Sequence, residues 1–189
     1  IVGLGVILDA YLATLAEHPG IRIAAVADLD ASRAEAVAAR LRCSRASTVE
    51  ELLTSDDVET VLDLTTPGAH AQIALACARS GKNHYGEKPL AATLADSRAV
   101  VDAAARAGVG LGCAPDTVLG TGVQTARAVV DAGLIGRPTA AVATWVSAGH
   151  EAWHPNPDFY YLPGGGPLLD MGPYYLTSLV HLLGPVVAV

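Results

Sequence analysis

Two glycines near the start of the chain have the spacing of a dinucleotide-binding turn. Gly3-Leu4-Gly5 lies between a short apolar run and a helical pattern, where one glycine permits a tight turn and the next lets backbone approach a pyrophosphate. The pyrophosphate would lie at the helix N-terminus, beside Val6 and Ile7. Leu8 stands where the third glycine of the fingerprint is expected, a departure that could crowd the helix against the strand or shift the phosphate.

An acidic residue ends the second apolar run. Asp28 is placed to accept hydrogen bonds from the adenosine ribose hydroxyls and to repel a 2′-phosphate, which predicts NAD as the cofactor. Arg33 follows in the next helical pattern and could soften that preference, so NADP is allowed as a second cofactor. The alternative is an ordinary strand–helix turn at Gly3 and Gly5, with Asp28 as a helix N-cap.

A lysine follows a later short strand. Lys88 lies in Gly86-Glu87-Lys88-Pro89-Leu90, directly after the predicted strand at 83–85, and ligands of open α/β sheets bind at such carboxyl ends. Its ammonium could hydrogen-bond both a substrate hydroxyl and a nicotinamide ribose. The alternative is a surface lysine on a turn stiffened by proline.

Asp170 and Tyr174 are one helical turn apart, so both side chains could point into one cleft. Pro173 is tolerated only in a first helical turn, which leaves a second interpretation: Asp170 caps a helix that starts near Gly172.

The segment from His150 to His154 spells H-E-x-x-H, the pattern of a zinc peptidase helix with Glu151 as general base. A strand pattern precedes it and Pro155 follows it, so we expect a loop there and no metal site. Aromatic and histidine side chains of such a loop either pack together or line a sugar pocket, and the candidates for substrate contact are Trp153, His154 and Tyr160.

Strand and helix patterns alternate through the first half of the chain, which predicts an α/β fold with a doubly wound parallel sheet. We place the domain boundary near residues 114–118, giving domains 1–116 and 117–189. The predicted strands are 1–3, 21–27, 61–64, 83–85, 109–113, 139–148 and 185–189. The predicted helices are 6–18, 31–41, 48–53, 67–80, 94–107, 120–132 and 168–183.

Composition excludes several classes of protein. The 189 residues are 51% hydrophobic and 16% charged, which excludes a disordered chain, and no apolar run is long enough to cross a membrane. The net charge of −7 without a basic patch argues against nucleic acid. Three separated cysteines predict reduced thiols in a cytoplasmic protein. The absence of an initiator methionine and a strand pattern at the last residues predict a fragment of a longer polypeptide.

Several motifs occur together in an order that resembles the Gfo/Idh/MocA family of oxidoreductases. They are the Gly3-Leu4-Gly5 turn, Thr65-Thr66-Pro67-Gly68-Ala69-His70, Tyr85-Gly86-Glu87-Lys88-Pro89-Leu90, and the segment 164–174 with Gly-Gly-Gly-Pro followed by Asp170-Met171-Gly172. The resemblance implies a Rossmann domain followed by an α+β substrate domain with an open sheet, here truncated. It implies hydride transfer between NAD(P) and a sugar, polyol or related carbonyl compound, and a homo-oligomer, either dimer or tetramer.

The resemblance also assigns roles to residues. Lys88 positions substrate and cofactor, Asp170 pairs with the acid/base, and Tyr174 stands where the family often has a catalytic histidine. A neighbouring cation lowers the pKa of a tyrosine, which suits it to move a hydroxyl proton. The residues implied to line the cofactor are Thr65, Thr66, Pro67, His70 and Glu87, and Asp116 is implied to contact substrate. Redox-assisted glycosidases and nucleotide-binding sensors of the family remain alternatives.

Overall fold

A computed structural model describes residues 1–42, 45–152, 154, 157–162 and 165–189 of the chain. These residues divide into two compact units, Ile1–Cys113 and Ala114–Val189. The domain boundary predicted from sequence lies close to this division.

The first unit is built on a parallel sheet. Val2 makes parallel bridges to Ala27 on one side and Asp63 on the other, so the first residues join two groups of strands. Counting Val2 as the first strand, the order is 3-2-1-4-5-6, which is that of a doubly wound dinucleotide-binding fold. The described strands are β1 Ala25–Ala27, β2 Arg45–Ser47, β3 Thr60–Asp63, β4 Asn83–Gly86 and β5 Leu111–Cys113.

Helices connect these strands, and local sequence explains their ends. The Thr48 side chain accepts from the Glu51 amide while the Glu51 side chain accepts from the Thr48 amide, which confirms the predicted capping box. Thr93 caps another helix, and Gly108 ends it in the left-handed conformation, as predicted. The helices are α1 Leu8–Leu15, α2 Ala31–Leu41, α3 Val49–Thr54, α4 Pro67–Arg79 and α5 Leu94–Ala107.

Apolar side chains form a core on each face of the sheet. Ala25 and Ala27 belong to one buried cluster, whereas Val26 between them belongs to the other. This alternation follows from the period of two along a strand, and it requires helices on both faces. Leu8 is 3% exposed and lies in the same cluster as Val26, so the residue that replaces the third glycine contributes to the core.

The second unit is helical in the residues that the structure describes. Its elements are 3₁₀ turns at Asp116–Leu119, His150–Ala152 and Asp158–Tyr161, and helices α6 Thr121–Asp131, α7 Pro167–Asp170 and α8 Gly172–Leu183. The Arg127 guanidinium on α6 donates to the carbonyls of His181 and Leu182 at 2.9 and 3.0 Å. These bonds satisfy carbonyls at the end of α8 and join the two helices.

Five sequence predictions of regular structure are wrong in whole or in part. Residues 139–148 and 185–189 are not strands, because no described residue pairs with their backbone. The predicted strand at 21–27 is paired only over β1, since β2 is three residues long. The predicted helix at 6–18 is limited to α1, because Gly5, Val6 and Ile7 form a turn without a side-chain cap. The helix predicted over 168–183 is interrupted at Met171.

Two cysteines can be placed in the structure, and both are free thiols. Burial raises the pKa of Cys77 to about 12 and that of Cys113 to about 11, so both stay protonated at neutral pH. Cys43 lies outside the described residues. None of the described helices has the length and apolar character needed to span a membrane.

Candidate cofactor and active site

The glycine turn lies between the first residues and α1, and its two glycines have different surroundings. Gly3 has φ +84°, and a Cβ there would lie 2.7 Å from the Leu64 carbonyl carbon and from the Thr65 nitrogen. Only glycine fits this position. Gly5 has ordinary dihedral angles, and a Cβ there would meet no protein atom within 4 Å. The space beside Gly5 is therefore open to a ligand.

Asp28 closes the other side of the turn. Its Oδ2 accepts from the Leu4 amide at 2.8 Å and its Oδ1 from the Asp30 amide at 2.9 Å. The Arg33 guanidinium lies 3.4 Å from both oxygens. Burial by itself raises the pKa of Asp28, but the two amides and Arg33 outweigh it, so the pKa is lowered and the carboxylate is charged at neutral pH. After accepting hydrogen bonds from these two amides, the carboxylate still has lone pairs that can accept a hydrogen bond from a ligand hydroxyl.

A cavity of about 920 Å³ opens at this carboxyl edge of the sheet. Its lining joins the glycine turn, the Asp28 turn, and the first residues of α3 and α4. A cavity of this size, with backbone amides and a carboxylate at its wall, fits the adenosine and pyrophosphate part of a dinucleotide. The predicted cofactor residues in its wall are Gly3, Gly5, Val6, Asp28, Thr65 and Thr66, whereas Ile7, Pro67, His70, Glu87 and Lys88 are outside the wall.

Lys88 lies in the turn after β4, where the sequence predicts it, and is half-buried. Glu87 shapes this turn, because its side chain accepts from the Tyr11 hydroxyl at 2.7 Å and from the Lys88 amide at 3.0 Å. The Glu87 amide in turn donates to the Asp63 carbonyl at 3.0 Å. Glu87 therefore holds the lysine turn to α1 and to β3.

His70 is predicted to line the cofactor, and the structure places its ring among protein groups. The side chain is buried, with Nδ1 2.6 Å from the Pro89 carbonyl and Nε2 3.0 Å from the Thr65 carbonyl. His70 is therefore packed among protein groups and does not line the cavity. Pro67 and Thr66, at the start of the same helix, are exposed.

Tyr11 and a buried acid–base pair were not identified from the sequence. The Asp63 carboxylate accepts from His84 Nε2 at 3.2 Å and from the Thr65 amide and hydroxyl at 3.0 and 2.6 Å. Burial alone raises the pKa of Asp63, but the hydrogen bonds from His84 and Thr65 lead the effects that outweigh it, so the pKa is lowered. An aspartate inside the apolar run 61–64 is the signal that could have revealed this pair.

The second unit carries the other predicted site residues. Asp116 is exposed in the first 3₁₀ turn, Asp170 is the last residue of α7, and Tyr174 lies in the first turn of α8. Pro173 occupies the helix start at which proline is tolerated, and α8 begins at Gly172. Its N-cap residue is Met171, so Asp170 does not occupy the capping position that the alternative gave it. Lys88 belongs to the first unit, and its approach to Asp170 and Tyr174 stays a prediction.

The H-E-x-x-H segment does not form the helix that a zinc peptidase needs. His150 to Ala152 is a single 3₁₀ turn, and the His150 ring stacks on Tyr160 with centroids 3.8 Å apart. Glu151 accepts a hydrogen bond from the Tyr161 hydroxyl. The His154 ring is 5.6 Å from that of His150, and Trp153 lies outside the described residues. In the described part of the chain, no three acidic, histidine or cysteine side chains are grouped to hold a metal ion.

The strand order, the glycine turn and the Asp28 cavity together define the first unit as a Rossmann-type NAD-binding domain. Over residues 1–114 the sequence matches the model of the oxidoreductase family with an NAD-binding Rossmann fold, and over 123–189 it matches the GFO/IDH/MocA C-terminal domain. The chain therefore belongs to the Gfo/Idh/MocA family of oxidoreductases.

Similar proteins with named activities support the assignment to this family. The chain is 32% identical over 188 residues to 1,5-anhydro-D-fructose reductase of Ensifer adhaerens, which covers 97% of this chain and 55% of the reductase. It is 32% identical over 146 residues to inositol 2-dehydrogenase of Salmonella typhimurium, a match that covers 73% of this chain and 42% of the dehydrogenase. The crystal structure of GenD2 from gentamicin A biosynthesis in complex with NAD matches with a TM-score of 0.79 and 25% sequence identity. The match covers 97% of this chain and 52% of the GenD2 chain. The chain thus spans about half the length of these relatives.

Proposed function

We propose that the protein containing this chain is an NAD(P)-dependent oxidoreductase that moves a hydride between the cofactor and a hydroxyl or carbonyl of a sugar or polyol. The observation that carries the proposal is the 920 Å³ cavity beside the open face of Gly5, bordered by the charged Asp28 carboxylate. Lys88 follows β4 at the same carboxyl edge of the sheet. The names of the reductase and the inositol dehydrogenase support the substrate class.

NAD is the proposed cofactor, and the nicotinamide supplies the hydride acceptor or donor when it is bound. The Asp28 carboxylate would accept from a ribose hydroxyl and repel a 2′-phosphate. Arg33 lies 3.4 Å from that carboxylate and is half exposed, so part of its charge already neutralises Asp28. This pairing weakens the repulsion, and we therefore propose a preference for NAD with measurable use of NADP.

Tyr174 is proposed to take the hydroxyl proton, assisted by the positive charge of Lys88 and paired with Asp170. A tyrosine does this when a cation nearby favours its phenolate form. The proposal rests on the motif positions of the three residues. Lys88 belongs to the first unit, and Asp170 and Tyr174 belong to the second.

Substrate contacts are proposed for the loop residues of the second unit. His154 has an aromatic ring with a polar edge of the kind that binds sugars. Tyr160 is 6% exposed and one face of its ring stacks on His150, so only its remaining edge is proposed to contact substrate. Trp153 and Asp116 are proposed to join them. We also propose that the protein is a homo-oligomer and that it is located in the cytoplasm.

The test is a turnover assay of the full-length protein with a panel of polyols and sugars, following NADH. We expect Lys88→Ala and Tyr174→Phe each to reduce kcat by about 100-fold or more, the range for general acid–base groups. Lys82→Ala and Tyr175→Phe are matched controls, because Lys82 precedes β4 and donates to the Ser55 carbonyl at 2.7 Å, and Tyr175 follows Tyr174 on α8. Wild-type turnover in both site variants would remove these roles.

The same assay separates the alternatives. A dehydrogenase forms NADH in step with oxidised polyol, whereas a redox-assisted glycosidase regenerates its cofactor and forms none. Binding of NADH without turnover of any substrate would favour a nucleotide-binding sensor.

A further inference from the structure

The His70 side chain connects two turns at the carboxyl edge of the sheet. It belongs to α4 and is 1% exposed. Its Nδ1 lies 2.6 Å from the carbonyl oxygen of Pro89, and its Nε2 lies 3.0 Å from the carbonyl oxygen of Thr65. Thr65 follows β3, and Pro89 is the residue after Lys88.

Both partners of the ring are carbonyl oxygens, which only accept hydrogen bonds. Each ring nitrogen therefore faces an acceptor, and whichever nitrogen carries a proton donates it to one of the two turns. Because both nitrogens are occupied in this way and the ring is buried, neither is left to contact a cofactor or a substrate. The role of His70 must be exerted through the turns that it joins.

The lysine turn is attached to the rest of the domain at its other end by different groups. The Tyr11 hydroxyl donates to Glu87 Oε1 at 2.7 Å, and the Glu87 amide donates to the Asp63 carbonyl at 3.0 Å. These contacts hold the residue before Lys88, and His70 holds the residue after it. The backbone of Lys88 is thus fixed from both sides.

We propose that His70 is a positioning residue for Lys88, which keeps the lysine turn in register with the Thr65 turn. This inference rests on the catalytic role of Lys88 in the proposed function. Its chemical basis is that a positioned ammonium contributes to turnover only while its geometry is maintained, and a displacement of about 1 Å can cost on the order of 100-fold in rate.

The experiment compares His70→Leu and His70→Gln in the full-length protein. We expect His70→Leu to reduce kcat by about 10-fold or more, as for other groups that orient a catalytic residue, while the Kd for NADH changes less than about 3-fold. We expect amide hydrogen exchange at residues 86–90 to rise in the same variant. The Gln side chain keeps an N–H donor, so His70→Gln should recover part of both losses.

Cys77→Ala is the matched control for a general loss of stability. Cys77 lies on the same helix, is fully buried and belongs to the apolar core. Its replacement should lower the Tm and leave kcat and exchange in the lysine turn close to wild type. If His70→Leu behaves like Cys77→Ala, His70 is a packing residue and the inference is wrong.

The exchange measurement does not depend on turnover. If the wild-type protein transfers no hydride to any substrate, the proposed function fails, while exchange at residues 86–90 still reports whether His70 holds the turn. If His70→Leu increases exchange at residues 86–90 but leaves kcat of an active protein unchanged, His70 holds the turn without positioning Lys88 for turnover. The inference is then wrong, while the proposed function stands.

Discussion

At the scale of single residues, the two glycines of the turn meet different requirements. Gly3 is required by the protein itself, because its positive φ and the 2.7 Å approach to Leu64 and Thr65 leave no room for a side chain. Gly5 has no such conflict with protein atoms. Its requirement for glycine would come from a ligand that occupies the adjoining cavity.

The contrast gives a prediction for two alanine variants. Gly3→Ala should lower the free energy of unfolding by about 1–3 kcal/mol, because it strains the backbone. Gly5→Ala should leave Tm within about 1–2 °C of wild type, since the new methyl group meets no protein atom, and reduce NADH affinity about 10-fold or more. Thermal unfolding and fluorescence titration with NADH measure the two effects. Full NADH affinity in Gly5→Ala would place the pyrophosphate elsewhere.

Some single residues could be predicted from sequence and others could not. Thr48, Thr93 and Gly108 act on neighbours within one helix, so their roles are readable in the local pattern. The hydrogen bond from Tyr11 to Glu87 joins residues far apart in the chain, and only the folded sheet brings them together. The same holds for the ring of His70, whose contacts depend on how two turns pack.

At the scale of elements, most strands of the first unit could be located because buried parallel strands are short apolar runs between helices. β2 was missed, because Arg45-Ala46-Ser47 is not an apolar run. The aspartate within β3 breaks that pattern, and it accepts a hydrogen bond from His84 on β4. The Asp63 side chain is fully buried. His84 Nδ1 has no hydrogen-bond partner among the described residues.

We predict that Asp63→Asn destabilises the first unit by about 3 kcal/mol at pH 7, because it removes a buried carboxylate that accepts hydrogen bonds from His84 and from the Thr65 amide and hydroxyl. The lowered pKa of Asp63 sets the pH dependence. A carboxyl with a lowered pKa in the folded state stabilises above its unfolded value near 3.8, and the contribution is lost as pH falls through the folded value. The difference in Tm between wild type and variant should therefore shrink below about pH 4, as Asp63 is protonated in the wild type.

Asp9→Asn is the control for this prediction. Asp9 pairs with Arg40 at 2.8 Å, but both side chains are largely exposed, and such pairs contribute about 0–1 kcal/mol. Equal effects of the two variants at pH 7 would show that the buried pair has no special importance.

The strands that were predicted in the second unit, and that its described residues do not form, show the limit of local patterns. Residues 139–148 have the composition of a strand, with Val142 and Val146 well exposed, but a strand exists only where a neighbour completes its backbone hydrogen bonds. No described residue provides that neighbour. Composition can therefore indicate a strand, and it carries no information about the segment that pairs with it.

At the scale of the whole molecule, exposed apolar side chains are concentrated in the second unit. Examples are Val146, Leu168 and Val187, which are 87%, 71% and 96% exposed. Exposed apolar groups of this extent are typical of surfaces that another segment or subunit covers. We predict that the full-length protein is a dimer or tetramer, and light scattering coupled to size-exclusion chromatography measures its mass. A monomer at micromolar concentration would contradict this prediction.

We propose that the turn at Gly3 and Gly5, together with Asp28, binds NAD. The most direct test of this proposal is a fluorescence titration of the full-length protein with NADH and, in parallel, with NADPH. Asp28→Asn serves as the comparison, because it removes the charge that repels a 2′-phosphate and leaves Arg33 in place.

We expect NADH to bind about 10-fold or more tightly than NADPH to the wild type, and we expect Asp28→Asn to narrow or reverse this ratio of affinities. Failure of both nucleotides to bind at about 1 mM, an affinity equivalent to only about −4 kcal/mol, would contradict the assignment of the cavity as a dinucleotide site.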